Sequence, residues 1–355
     1  MISISLCMIV KDEEDILSRC LNSFRGIFDE IVIVDTGSTD RTKEIARSYT
    51  DKIYDYEWKN DFAAARNYAF SKASCDYIYS GDADEMLSSV NRDAFLDLKQ
   101  VLLPEIDIVQ MYYVNDSQYN GVYNSRKELR PKLYKRLRTF QWYSPIHETV
   151  RLDPIVYDSE IEILHRPTSD HSKRDFDIFL NTLKNNIRLE DYVLIMYCKE
   201  LFLSGTDEDL LNAQDYFTSL SPDTYTSHDC QVNIACIQAR IYRLTGNTTL
   251  FFTTCLDIIH SEPVAEICME LGMYYQKQKM LVEAIHWFTE CLSMSSVIDI
   301  RTSGILAYEY LSACYQELAD LKSSIGDKNQ ADSMRVIATE YQQQAKDWKL
   351  PEELK

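Results

Sequence analysis

Short apolar runs alternate with helically spaced apolar positions through the first half of the chain. Ser3 to Val10 reads as a strand. Asp12 to Phe24 has helical spacing, with Ile16, Leu17, Cys20, Leu21 and Phe24 on one face. Glu30 to Val34 is a second strand, and Arg41 to Tyr49 a helix capped by Ser38, Thr39 or Asp40. Lys52 to Tyr56 is a third strand, Asp61 to Lys72 a helix, and Asp76 to Ser80 a fourth strand. Strands alternating with helices in this way predict an α/β domain, a mostly parallel Rossmann-like sheet with helices on its faces. Such sheets bind ligands beyond the carboxyl ends of their strands. Further strands follow at Asp107 to Val114 and Ile161 to His165, with a polar, tyrosine-rich loop over 115–128.

From about Arg174 the strand runs stop and helical periodicity takes over. Leu271, Gly272, Tyr275, Ala284, Phe288 and Cys291 fall at tetratricopeptide (TPR) spacing, where small residues let paired helices approach. Weaker units begin near Tyr197, Ile234 and Leu311, enough for a small solenoid. The domain reading is 1–172 for the α/β part and 173–355 for an all-α TPR-like helical repeat.

Three polar clusters end the early strands: Lys11 to Glu14, Asp35 to Asp40, and Asp82 to Glu85. The last follows Tyr77-Ile78-Tyr79-Ser80-Gly81, a buried-strand pattern that delivers three carboxylates to one tip. Positions two apart on an extended chain point the same way, so Asp82 and Asp84 can address one ion, and hard oxygen ligands suit Mn²⁺ or Mg²⁺. An isolated D-x-D is more often a solvated acidic loop; its company here favours a site. Neither a Gly-rich dinucleotide fingerprint nor a P-loop is present in the sequence.

The 355 residues allow two or three domains. A net charge of -19 argues against nucleic-acid binding, which draws its affinity from Lys and Arg. No run of about 18 apolar residues and no leader pattern is visible, so a cytoplasmic protein without a transmembrane segment is expected. The 10 cysteines contain no C-x-x-C pair and read as reduced core residues.

Four motifs occur in order: Met8-Ile9-Val10-Lys11-Asp12-Glu13-Glu14, Val34-Asp35-Thr36-Gly37-Ser38-Thr39-Asp40, Asn60-Asp61-Phe62-Ala63-Ala64-Ala65-Arg66-Asn67 and Gly81-Asp82-Ala83-Asp84-Glu85. With them, residues 1 to about 170 resemble a family 2 glycosyltransferase of the GT-A fold, although that family often has an apolar residue where this chain has Gly81. The resemblance implies a nucleotide-sugar donor, most often a UDP-sugar. Val10 and nearby backbone would line the base pocket, with Lys11, Glu13, Ser38 and Ala83 among the donor-binding residues. Asp35 would bond uracil or ribose, Arg66 would reach the base or diphosphate, and Asp82 would hold ribose or a metal-bound water. Asp84 would ligate the metal, with His165 completing its shell and Asp82 nearby. Plain structural alternatives are a turn acid for Asp35, an ion pair for Arg66 and a polar strand end for His165. The basic segment Arg130 to Arg136 faces phosphates or is a solvated strand edge.

Tyr143 to Val150 carries Ile146-His147-Glu148, as in a bacterial branch that includes lipopolysaccharide-core enzymes and the glycocin peptide S-glycosyltransferases. An inverting transfer needs a carboxylate to take the acceptor's proton, which makes Glu148 the candidate base and His147 the alternative or an acceptor-orienting group. His171 is a weaker competitor of His165. The acceptor is then a peptide Cys or Ser, or a glycan hydroxyl, and the repeats offer an acceptor surface or a homodimer face. Two other classes remain: a catalytically inactive transferase-like scaffold binding a protein through its repeats, and a nucleotidyltransferase. The intact acids argue against the first, and the absent glycine loop after the first strand argues against the second.

Overall fold

The computed structural model describes residues 1–115, 127–150, 153–167, 172–184, 189–220 and 227–349. Most of the expected polar loop (116–126) and His171 lie outside the described residues. The chain divides into two compact units, one reaching Thr182 and one from Leu183 onward.

The first unit contains β1 (Ile4–Val10), α1 (Leu17–Ser23), β2 (Glu30–Asp35), α2 (Thr42–Ala46), β3 (Ile53–Asp55), α3 (Phe62–Phe70), β4 (Tyr77–Gly81), β5 (Glu85–Met86), α4 (Ser89–Val101), β6 (Ile108–Asn115), β7 (Lys127–Lys135), β8 (Trp142–Tyr143), β9 (Thr149–Val150), β10 (Val156–His165) and α5 (Ser172–Lys184). Eight strands form one sheet in the order β3-β2-β1-β4-β7-β6-β10-β5. β1 runs parallel to β2 and β4, and β2 to β3. β7 is antiparallel to both β4 and β6. The basic segment from Arg130 therefore sits on a central strand, not a solvated edge. Its Pro131 lies opposite Gln110, where the β6–β7 register shifts, the place in a sheet interior that tolerates a missing N–H.

Alternation along β4 serves two cores. Tyr77 and Tyr79 join Leu6, Phe24, Phe95 and Met111 on one face. Ile78 joins Val32, Val34, Phe70, Tyr134 and Trp142 on the other. Gly81 closes the strand because a Cβ there would come within 2.7 Å of Leu6 Cδ1 and 3.4 Å of Met8 Cγ. The space an apolar side chain would need is taken by β1.

The first helix is shorter than the periodicity predicts, beginning at Leu17 rather than Asp12. The backbone N–H groups of Asp12, Glu13 and Glu14 donate instead to Ser38 Oγ, Thr42 Oγ1 and Asp40 Oδ2, and Asp12 takes φ 55°. The loop after β1 is thus laced to the loop after β2, at the cost of a helical turn. α3 meets the expectation more closely: Asp61 caps it, accepting from Ala64 N at 2.9 Å. β10 starts earlier than expected, at Val156, since Val156 to Asp158 pair with β6 before a bulge.

The second unit contains α6 (Asp191–Leu203), α7 (Asp207–Asn212), α8 (Gln214–Ser219), and the pairs α9 (His228–Thr245) with α10 (Thr248–Ser261), α11 (Ala265–Lys277) with α12 (Leu281–Cys291), and α13 (Ile305–Ser324) with α14 (Lys328–Asp347). Each of these three pairs turns through a left-handed residue: Gly246, Lys279 and Gly326. A Cβ on Gly272 would stand 2.4 Å from the ring of fully buried Phe288, so glycine lets α11 and α12 close on each other. Cys268, Cys291 and Cys314 fill the same core, and no disulfide forms among the ten cysteines. No described helix is long and apolar enough to cross a membrane.

Candidate active site

The carboxyl tips of β1, β2 and β4 carry the three polar clusters, as parallel pairing in register requires: Val10 lies beside Asp35, and Met8 beside Gly81. Val10 and Ala83 are buried in the core, so only their backbones are available to a ligand. Val10 O is already taken by Thr36 N and Thr36 Oγ1. Asp35 is buried; its Oδ1 accepts from Gly37 N and Ser38 N at 3.0 Å each. Its Oδ2 is buried with no hydrogen-bond partner among the described residues. A turn acid with one unused oxygen is suited to a donor hydroxyl or imide N–H. Lys11 is exposed, and the Ser38 hydroxyl is committed to Asp12 N.

The acid turn after β4 is held by three elements. From α1, Cys20 Sγ donates to Asp82 O at 3.4 Å. From β10, Arg166 N donates to Asp84 O at 2.9 Å. β5 pairs antiparallel with the end of β10, setting His165 opposite Glu85. This pairing brings His165 Nε2 to 3.0 Å from Asp84 Oδ2, and Tyr113 packs its ring 4.9 Å from the imidazole. Asp84 Oδ1 is buried and unpartnered among the described residues.

Arg66, on α3, is nearly buried between two acids. It donates from Nη2 to Asp82 Oδ1 at 2.9 Å, from Nη1 to Ser80 Oγ at 2.9 Å, and from Nε to Glu148 Oε1. Burial pushes its guanidinium down, but Asp82 and Glu148 outweigh that and hold it above its ordinary range. Burial likewise pushes the Asp82 carboxyl up, while Arg66 and then Lys132 pull it well below the usual carboxylate range. Glu13 behaves oppositely: burial first and the Asp84 charge second raise it to about 7, with Arg174 opposing.

The segment bearing His147 and Glu148 has little regular structure, only the β8–β9 pair around it. α3 fixes it instead. Asn67 and Trp142 exchange hydrogen bonds at 3.0 and 2.8 Å, and Phe62 N donates to Pro145 O at 2.9 Å. Ser144 and His147 take φ 74° and 49°. The His147 ring lies 5.8 Å from that of Phe179 on α5. Arg174, earlier on α5, sits over Phe62 at 5.1 Å.

Asp35, Asp82, Asp84 and His165 thus lie at the carboxyl tips of their strands, and Arg66 joins Asp82 to Glu148. Among the described residues no three His, Cys, Asp or Glu side chains gather as a metal-ligand set. Asp84 and His165 meet, while Asp82 faces the cations. The fit to a divalent ion thus rests on Asp84 Oδ1, a buried acid oxygen with nothing bound to it, next to an imidazole. Two further buried groups stand at the site, Lys132 and Glu85, joined at 2.5 Å. No sequence signal marks them, since the strand's central position follows only from its pairing with β4.

The first unit has a GT-A-type fold, and a helical region follows it. Residues 5–151 match the model of Glycosyl transferase family 2, and this segment is a glycosyltransferase domain of that family. A TPR repeat-containing protein of Synechococcus elongatus is 36% identical over 150 residues, which are 42% of this chain and 36% of that protein. The SPbeta prophage-derived glycosyltransferase SunS of Bacillus subtilis is 26% identical over 317 residues, 84% of this chain and 70% of SunS. The crystal structure of S. aureus TarS 1-349 aligns over 96% of this chain and 91% of that one, at 13% identity and a TM-score of 0.36.

Proposed function

We propose that the chain is a metal-dependent transferase that moves a sugar from a UDP-sugar to an acceptor with inversion at the anomeric carbon. The observation that carries this reading is the shared arginine: Arg66 binds Asp82 at the donor-side tip and Glu148 at the acceptor side within one buried group. Asp84 and His165 would hold Mn²⁺ or Mg²⁺. Such an ion stabilises the negative charge that develops on a departing diphosphate. The protein's own contributions are separate. Asp35 offers its free Oδ2 to the nucleoside. Asp82, kept ionised by Arg66, accepts from a donor hydroxyl. Glu148 receives the acceptor's proton as the acceptor oxygen or sulfur bonds to the anomeric carbon and the bond to the UDP oxygen breaks. His147, beside Phe179, orients the acceptor.

The match to SunS over most of both chains favours a Cys or Ser of a peptide over a glycan hydroxyl as acceptor, whereas the Ile-His-Glu segment fits either. The helical unit, from Leu183 onward, is assigned to acceptor binding or dimerisation. Its paired helices also suit the inactive-scaffold reading, which predicts no donor binding.

Thermal melting against UDP-glucose, UDP-GlcNAc, UDP-galactose and GDP-mannose, each with and without Mn²⁺, tests the reading, since a ligand of the folded state raises Tm by mass action. A metal-dependent rise with a UDP-sugar, lost in Asp84→Ala at unchanged ligand-free Tm, is the expected result. No shift with any donor in either condition would leave the scaffold.

A further inference from the structure

Three carboxylates, Asp82, Asp84 and Glu85, crowd the acid turn, and the structure treats each differently. Glu85 is fully buried beneath it, taking the Tyr79 hydroxyl at 3.1 Å on Oε2 and Lys132 Nζ at 2.5 Å on Oε1. Lys132 reaches this place from β7, is 5% exposed, and stands above the rings of Tyr79 and Tyr113. The same Nζ lies 3.7 Å from Asp82 Oδ2. Asp82 Oδ1 is already bound by Arg66. Both oxygens of Asp82 therefore face cations, and Asp84 alone keeps a buried oxygen free of any described partner.

We propose that Lys132, anchored by Glu85, is a positioning residue that withdraws Asp82 from the divalent cation and leaves Asp84 the single protein carboxylate for it. The inference rests on the glycosyl-transfer reading above and adds a consequence for binding. One carboxylate and one imidazole make a weak site for a hard dication, whose affinity follows the number of charged oxygen ligands. The missing charge then comes from the donor's diphosphate, so ion and nucleotide enter as mutually dependent ligands. A stabilising role explains the pair poorly, because a buried Lys–carboxylate pair gains little over apolar residues of similar volume. What it does supply is a fixed cation beside Asp82. The lysine cannot turn away, since its buried partner would be left without a counter-charge.

The test is Mn²⁺ binding to the full chain without nucleotide, followed by calorimetry or by the loss of the free-ion spin-resonance signal, and repeated with UDP. The double variant K132M/E85Q removes one charge of each sign, so the net charge of the turn is kept. It is expected to bind Mn²⁺ alone about tenfold tighter, the scale an outer-shell partner carries, and to show a smaller gain in Mn²⁺ affinity on adding UDP. Adding D82N to that double variant should reverse the gain, and K132R alone should keep wild-type values. A folded double variant with wild-type Mn²⁺ affinity overturns the proposal. A second pair keeps the test sharp if the double variant does not fold. In the otherwise wild-type chain, D82N should leave the Mn²⁺-alone affinity unchanged, whereas D84N should abolish binding. Equal losses in D82N and D84N would show that Asp82 is already a ligand and overturn the proposal. A wild-type chain that binds UDP neither with nor without Mn²⁺ would instead remove the glycosyl-transfer reading, and the inference with it.

Discussion

At the residue scale the site is governed by which acid is paired. Arg66 holds Asp82 and Glu148, His165 touches Asp84, and among the described residues Glu13 forms no ion pair. Glu148→Gln keeps the shape of the side chain and an acceptor oxygen for Arg66 while removing the basic site. It is expected to preserve the Tm shift with donor and to lower transfer by about 10²- to 10⁴-fold. Near-normal transfer would pass the base role to His147. Glu13 makes a pH prediction. Its carboxyl titrates near 4.5 when unfolded and at about 7 when folded. Between those values the folded state holds the extra proton, so the Glu13 contribution to stability is full below the lower value and is lost as pH rises through the upper one. Glu13→Gln should therefore flatten the decline of Tm between those two pH values. An unchanged slope would mean that Glu13 does not titrate there.

At the element scale α3 is the organiser. It is nine residues long, capped at Asp61, and most of its inward positions are alanine, which allows it to lie close on the sheet. Its outward Arg66 and Asn67 then reach two different stretches of chain. Asn67→Ala should cost about 1–3 kcal/mol in unfolding free energy, since Trp142 N and O lose a reciprocal partner in a half-buried place. Because Glu148 lies beyond Trp142 on the same irregular segment, transfer should fall more than donor affinity. Chemical denaturation and steady-state kinetics on the one variant separate the two effects.

Much of this element was legible in the sequence, because helical spacing and motif coincide from Asp61, although the spacing runs to Lys72 and the helix ends at Phe70. The parallel strands were legible for a similar reason, as each apolar run ends in a polar cluster. Less legible were the features made by tertiary contact. The first helix loses its opening turn to hydroxyl and carboxylate acceptors from another loop, which periodicity cannot register. Arg66 is recognisable by its motif, but its two acids lie 16 and 82 residues away, and no spacing links them. In the sequence Lys132 is one of a basic stretch, because its strand's central position depends on the β4–β7 pairing.

For the whole molecule, the boundary of the first unit matters. α5 counts with it as far as Thr182 and brings Phe179 to His147 and Arg174 to Phe62. A truncation that tests the repeats should therefore end after Lys184, beyond α5. The shortened chain is expected to keep donor hydrolysis while losing transfer to its acceptor or losing self-association, as measured by nucleotide release, product analysis and sedimentation. Equal loss of hydrolysis and transfer would mean that the helical unit serves the stability of the first.

The double grip of Arg66 carries one more consequence. If Asp82 and Glu148 serve donor and acceptor as proposed, a guanidinium shared between them makes the two sites answer to each other. If donor binding draws Asp82 away from Arg66, the arginine closes more firmly on Glu148, and an acceptor that loosens Glu148 returns it to Asp82. Thermodynamic linkage makes such an exchange symmetric: the factor by which the sugar nucleotide alters acceptor affinity must equal the factor by which acceptor alters nucleotide affinity. Arg66 is then a balance beam rather than an anchor, and the order in which the two substrates arrive affects the route to the ternary complex but not its free energy.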